Sequence, residues 1–174
     1  FRRPSLSSRV VGRPLGAALP HSDVPTSFDW RSKHMLHDSV LQGSCGSCFA
    51  ITAGAMLDFW HRRLDSSTSH ARYSYQALMD CSSAFFPTDV DECGGGTMEF
   101  PLRWARSTRV PDIQQVPYLD RGDRCRLVHV NHPTVAPTDM YNYDSLRDVD
   151  PHIMRDLPYY VSTYGMVGVS LDAS

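Results

Sequence analysis

An α+β fold organised on one central helix is what this sequence predicts, on three observations. From Cys48 the apolar residues Phe49, Ala53, Met56, Leu57, Trp60 and Leu64 recur at intervals of three and four, the spacing of one helix face. Two shorter helix patterns follow, around Leu78 and around Leu102. Towards the C-terminal end, Val167, Val169 and Leu171 alternate with Met166, Gly168 and Ser170, the period of two expected of a half-buried strand.

Taken in order, residues 1–24 carry Arg2, Arg3, Arg9 and Arg13 among Ser, Pro and Gly without sustained periodicity. They read as a basic linker or pro-segment remnant, with Phe1 as a processed end. Phe28 and Trp30 alternate with Asp29 and Arg31, as in a short extended segment. The helix from Cys48 has Ser47 as its expected N-cap, and Asp58, Arg62 and Arg63 fall on the face opposite its apolar stripe. Ser74 to Asp80 predicts a second helix, ended by Cys81, with a surface loop over Ser82 to Glu92. Cys93-Gly94-Gly95-Gly96 marks a turn or close backbone approach. Thr97 then caps a third helix through Phe100, Leu102 and Trp104, with Pro101 in the first turn, where a missing N–H costs no ladder bond. Beyond Arg109 the pattern becomes irregular, with Pro111, Pro117, Pro133 and Pro137, and predicts loops and short strands. Ile153, Leu157, Tyr160 and Val161 suggest a short helix, weakened by Pro158.

The 174 residues are 41% apolar and 21% charged, enough for one domain with a sizeable core. A formal net charge of −2 gives no reason to expect nucleic acid or an anionic membrane as partner. No apolar run approaches the ~20 residues that span a bilayer. Five cysteines, Cys45, Cys48, Cys81, Cys93 and Cys125, make an even set plus one. That count suits two disulfides and one free thiol, and so a secretory, lysosomal or vacuolar route.

The chemistry centres on Gln42-Gly43-Ser44-Cys45-Gly46-Ser47-Cys48, where a glycine-rich turn runs into the central helix. A cysteine in the first turn of a helix faces unpaired N–H groups and the positive end of the dipole, which favour the nucleophilic thiolate. The Cys45-x-x-Cys48 spacing also fits a redox pair or half a zinc site. Zinc needs two more close Cys or His ligands, and Cys81, Cys93 and Cys125 stand apart from one another. A redox pair of the thioredoxin type would follow a buried apolar strand, and His37 to Gln42 is mostly polar. No cofactor is expected.

The run from Gln42 to Ala50 resembles the nucleophile motif of papain-like cysteine proteases. Further stretches are similar to that family's: Pro25 to Arg31 with its Asp-Trp-Arg, Ala77 to Cys81, Cys93 to Gly96, Pro117-Tyr118, and Gly165 to Ala173. The start at Pro25 is also similar to dipeptidyl peptidase I (cathepsin C), a member cut into heavy and light chains. The resemblance implies a papain-like helical left domain over 25–140 and the first part of a β-rich right domain over 141–174. It implies Cys48 as nucleophile, with the Gln42 amide and the Cys48 N–H as oxyanion hole. It pairs Cys45 with Cys93 and Cys81 with Cys125, where the sequence alone leaves three connectivities open. Gly95 and Gly96 would bind a peptide or protein substrate as an extended strand, with Met98 and Ser170 on the walls of a pocket preferring an apolar residue.

Thiolate catalysis also needs a His and an Asn or Asp that orients it. The eight histidines, His21, His34, His37, His61, His70, His129, His132 and His152, lie in no motif resembling the family's base. In the family that His and Asn lie ~130 to 150 residues beyond the nucleophile. The expectation is therefore a partner carrying them, either a light chain or further sequence beyond Ser174. The alternative is an inactive scaffold or binding subunit, suggested by Phe49, Gly94 and Met166 standing where the family has Trp or Tyr, Asn and Pro.

Overall fold

The computed structural model describes residues 24–64, 72–127, 151–163 and 165–169. Its helices are α1, Cys48–Leu64; α2, Tyr75–Phe85; α3, Glu99–Ser107; and α4, Pro151–Thr163. Single 3-10 turns occur at Trp30–Lys33 and Glu92–Gly94. Helices α1, α2 and α3 pack on one another around Ala50, Ala53, Leu57, Ala77, Leu78, Met79, Leu102, Trp104 and Ala105, all buried.

Helix α1 is covered on more sides than its apolar stripe suggested. Phe59 is fully buried, and so are Asp58 and His61. The reason is residues 72–75, which close over the face read as polar. The Tyr73 N–H donates to Asp58 Oδ1 at 2.7 Å, and the Tyr73 hydroxyl bonds His61 Nδ1 at 2.8 Å. Polar groups tolerate burial when bonded in this way. Gly54 makes the close approach of α2 possible, because a Cβ there would run into the Tyr75 ring.

Helix α2 starts where expected, since the Ser74 side chain accepts the Ala77 N–H. It does not stop at Cys81 but runs to Phe85. The Ser82 hydroxyl donates to Leu78 O at 2.6 Å and lies 3.1 Å from Met79 O, so a residue read as the start of a surface loop is satisfied inside the helix. Thr97 does not cap α3. Met98 holds the cap position with no side-chain bond, and Pro101 sits in the first turn, buried.

Two extended readings are corrected. Trp30–Lys33 is a 3-10 turn because Asp29 accepts the Arg31 N–H and so bends the chain. Residues 165–169 form no strand. Alternation shows which side chains could share a face, but a strand needs a paired neighbour, and among the described residues only isolated pairings occur, Tyr73 with Asp112 and Asp91 with Gly95. Helix α4 is 13 residues long and keeps Pro158 inside it. The Trp30 indole N–H ties it down, donating to Val161 O at 2.8 Å. The tail over 1–23, the loops over 128–150, Ser170 and Leu171 lie outside the described residues.

Candidate active site

The turn before α1 is fastened from two directions. On one side the Cys45–Cys93 disulfide joins it to the glycine run, and the Gly46 N–H donates to Cys93 O at 2.9 Å. A Cβ at Gly46 would lie 2.5 Å from that carbonyl oxygen, so the approach requires glycine. On the other side stands the segment 118–120. The Cys45 N–H donates to Asp120 Oδ1 at 3.0 Å, and the Tyr118 hydroxyl donates to Gln42 O at 2.7 Å.

Cys48 is the first residue of α1, exposed, and the cysteine outside the two disulfides. Ser47 opens the helix through its carbonyl, which accepts from Ala50 N at 2.9 Å and Ile51 N at 3.1 Å. Its hydroxyl is buried beside Tyr118 Oη at 2.5 Å instead of capping the helix. By its position the Cys48 N–H is one of the donors that a helix leaves without an internal partner. The Gln42 side chain is oriented by Cys45, whose carbonyl accepts from Nε2 at 2.6 Å. A carbonyl can only accept, so the amide nitrogen must be the atom facing it, and its second N–H remains for another acceptor.

The glycine run follows different constraints at successive positions. Gly95 has φ +117°, open to glycine and strained for other residues, and has no neighbour within 4 Å of a would-be Cβ. Its N–H and C=O are both taken by Asp91, at 2.8 and 2.9 Å. At Gly96 a Cβ would touch Phe49 and Val90 at 3.4 Å, and no described residue pairs with its backbone. Met98 is half-buried, and its sulfur and that of Met56 occupy the space beside Gly168. Ser170, expected on the same wall, lies outside the described residues.

Segment 118–125 is itself anchored by α2. The Leu119 N–H donates to Gln76 Oε1 at 2.9 Å, Gln76 Nε2 donates to Arg121 O at 2.8 Å and to Asp80, and the Asp123 N–H reaches Asp80 Oδ1 at 3.1 Å. The Cys81–Cys125 disulfide closes the strap. Burial pushes the Asp80 carboxyl up to about 6, against the hydrogen bonds from Gln76 and Asp123. Sequence reading gave Asp120 no role and noticed Tyr118 only as part of a motif, because their partners are 75 and 76 residues away and no local spacing encodes that.

A separate polar group lies further along α1. Asp58 Oδ1 takes the Tyr73 N–H, while Oδ2 is buried without a hydrogen bond and 3.8 Å from His37 Nε2. Burial raises this carboxyl to about 7, opposed by the Tyr73 bond and by Arg72 and Arg62. Arg62 in turn bonds the His37 ring and His34 O. A concavity of about 790 Å³ opens beside them, lined by Arg31, His34, Leu36, His37, Asp38, Ser39 and Arg62 and by no residue of the thiol turn. Three of the described histidines thus have other company: His37 with Arg62, His61 with Tyr73, and His34 at the left-handed end of the 3-10 turn.

Comparison with known proteins places the chain in a family. A family model described as papain family cysteine protease matches residues 24–174. A cathepsin L-like protein of Caenorhabditis elegans is 30% identical over 99% of this chain and 48% of its own length. Cathepsin L1 of Drosophila melanogaster is 32% identical over 88% of this chain and 38% of its own. Procathepsin L of Mus musculus is 28% identical over 87% and 42%. The chain thus spans less than half the length of these relatives. It belongs to the papain family of cysteine proteases.

Proposed function

We propose that this chain carries the nucleophile half of a thiol peptidase that cleaves peptide bonds through an acyl-enzyme at Cys48. The observation behind this reading is the turn itself: one free, exposed thiol at the first residue of α1, and in the turn leading to it an amide whose nitrogen is held in place by Cys45 O. Attack by the thiolate on a peptide carbonyl places negative charge on its oxygen. The second N–H of Gln42 and the N–H of Cys48 are the donors that would hold it. Collapse breaks the C–N bond, the amine leaves with a proton supplied by a general acid, and water cleaves the thioester.

The proton carrier in this reading is a His oriented by an Asn, contributed by a light chain or by sequence beyond Ser174, with this chain as the heavy chain or N-terminal part. Residues 25–140 would form the helical domain, and 141–174 would begin the β-rich one. Substrate would lie extended against Gly96, whose backbone is open, while Gly95 shapes the loop with its own groups committed to Asp91. Met98 and Ser170 would wall an apolar specificity pocket. Disulfide pairing of the other four cysteines supports a secretory route ending in a lysosome, a vacuole or outside the cell.

The test is intact mass and peptide mapping of the purified complete protein, combined with labelling by a thiol-reactive epoxide at acidic pH. A His-bearing segment beyond Ser174 and a single adduct on Cys48, with hydrolysis lost in Cys48→Ser, are expected. An unlabelled Cys48 in the complete assembly would instead indicate a non-catalytic scaffold.

A further inference from the structure

We propose that Tyr118 is a positioning residue that locks the two donors of the oxyanion site into register; this rests on the peptidase reading above. Its hydroxyl has one proton, and the Gln42 carbonyl, which can only accept, takes it at 2.7 Å. The Ser47 hydroxyl, 2.5 Å away, must therefore be the donor in the other bond. One phenol oxygen thus bridges the residue that carries the amide and the residue whose carbonyl carbon forms the peptide bond to Cys48 N.

This bridge does something that the other fastenings do not. The Cys45–Cys93 disulfide and the Gly46 to Cys93 bond hold the middle of the turn. The Cys45 carbonyl accepts from both the Gln42 amide and the Ser47 N–H, at 2.6 and 2.7 Å, but it belongs to the same short turn and moves with it. Among the described residues, Tyr118 is the one outside the turn that bonds both of its ends, and it does so from a strap pinned to α2 through Leu119, Arg121, Asp123 and Cys125. The separation of the two donors is then set by a rigid outside group. Preorganised donors stabilise developing charge because they need no reorganisation during the reaction, and small misplacements are expensive in rate.

The test is Tyr118→Phe in the complete enzyme, which keeps the ring and removes the bridging oxygen. We expect kcat to fall roughly ten- to hundred-fold with KM little changed. Affinity for a peptide aldehyde, whose adduct places an oxygen in the same site, should weaken in parallel. Alkylation of Cys48 by iodoacetamide, which forms no oxyanion, should stay within about two-fold of wild type. Backbone hydrogen exchange over residues 42–48 should speed up. A kcat within two-fold of wild type, or an equal fall in alkylation, would overturn the assignment. If wild type itself shows no Cys48-dependent hydrolysis, the peptidase reading fails; unchanged exchange over 42–48 in the variant would then separately overturn the bridge.

Discussion

Gln42 shows how much one side chain's orientation matters. Its amide is placed by a carbonyl three residues on, at 2.6 Å, so in the peptidase proposed above Gln42→Ala would remove a donor already aimed rather than one recruited by substrate. Removing such a donor typically lowers kcat by ~10²- to 10³-fold. We expect that loss with the thermal midpoint nearly unchanged, since Gln42 is only half-buried; steady-state kinetics beside a melting curve checks both. Asp58 is a different kind of residue, buried with one oxygen unbonded. Asp58→Asn keeps an oxygen for the Tyr73 N–H and removes the titration, so its effect should be read against pH.

At the scale of elements, α2 organises the molecule around the thiol turn. Ser74 begins it with two bonds, accepting the Ala77 N–H at 3.0 Å and donating to Val116 O at 2.6 Å. Ser74→Ala should therefore cost about 2 kcal/mol, the upper end for a lost cap, measurable by urea unfolding; a loss below about 0.5 kcal/mol would show that water replaces both bonds. The helix periods were legible because α1 and α2 bury residues such as Leu57 and Leu78 at regular intervals. The position of Cys48 was legible because a glycine-rich turn into a helix is a local pattern. What could not be read was set by distant partners. Asp58 is buried because Tyr73 covers it, Ser82 continues a helix because Leu78 O accepts its hydroxyl, and Tyr118 reaches the turn only through the fold. Of the strand expected at 165–171, the described residues 165–169 are in no strand pairing, since alternation says nothing about what lies alongside.

For the whole molecule, burial of two carboxyls makes stability depend on pH. Asp58 is raised to about 7 and Asp80 to about 6, from an ordinary 3.8. Groups raised on folding hold their protons in the native state, so their contribution is complete below about pH 4 and is lost as pH climbs through 6 and 7. The melting temperature should fall from pH 4.5 to 7.5, with a shallower slope in Asp58→Asn; parallel curves for the two proteins would refute this. Two overlapping disulfides, with separations of 48 and 44 residues, add about 4 kcal/mol each in the chain-entropy picture. Reduction should accordingly lower the denaturation midpoint sharply.

The bond from the Trp30 indole to Val161 O joins residues 131 apart, and Trp30 also meets the buried Phe59 ring at 5.1 Å. This sets an order of assembly during synthesis. Among the described residues, those that fasten the thiol turn lie between 42 and 125, so that unit can close while the ribosome is still making the rest. Trp30 must wait for α4 to emerge. A fragment ending near residue 140 should already resist protease across α1 to α3 under oxidising conditions, and its Trp30 should be open to quencher, closing only in the chain that includes α4.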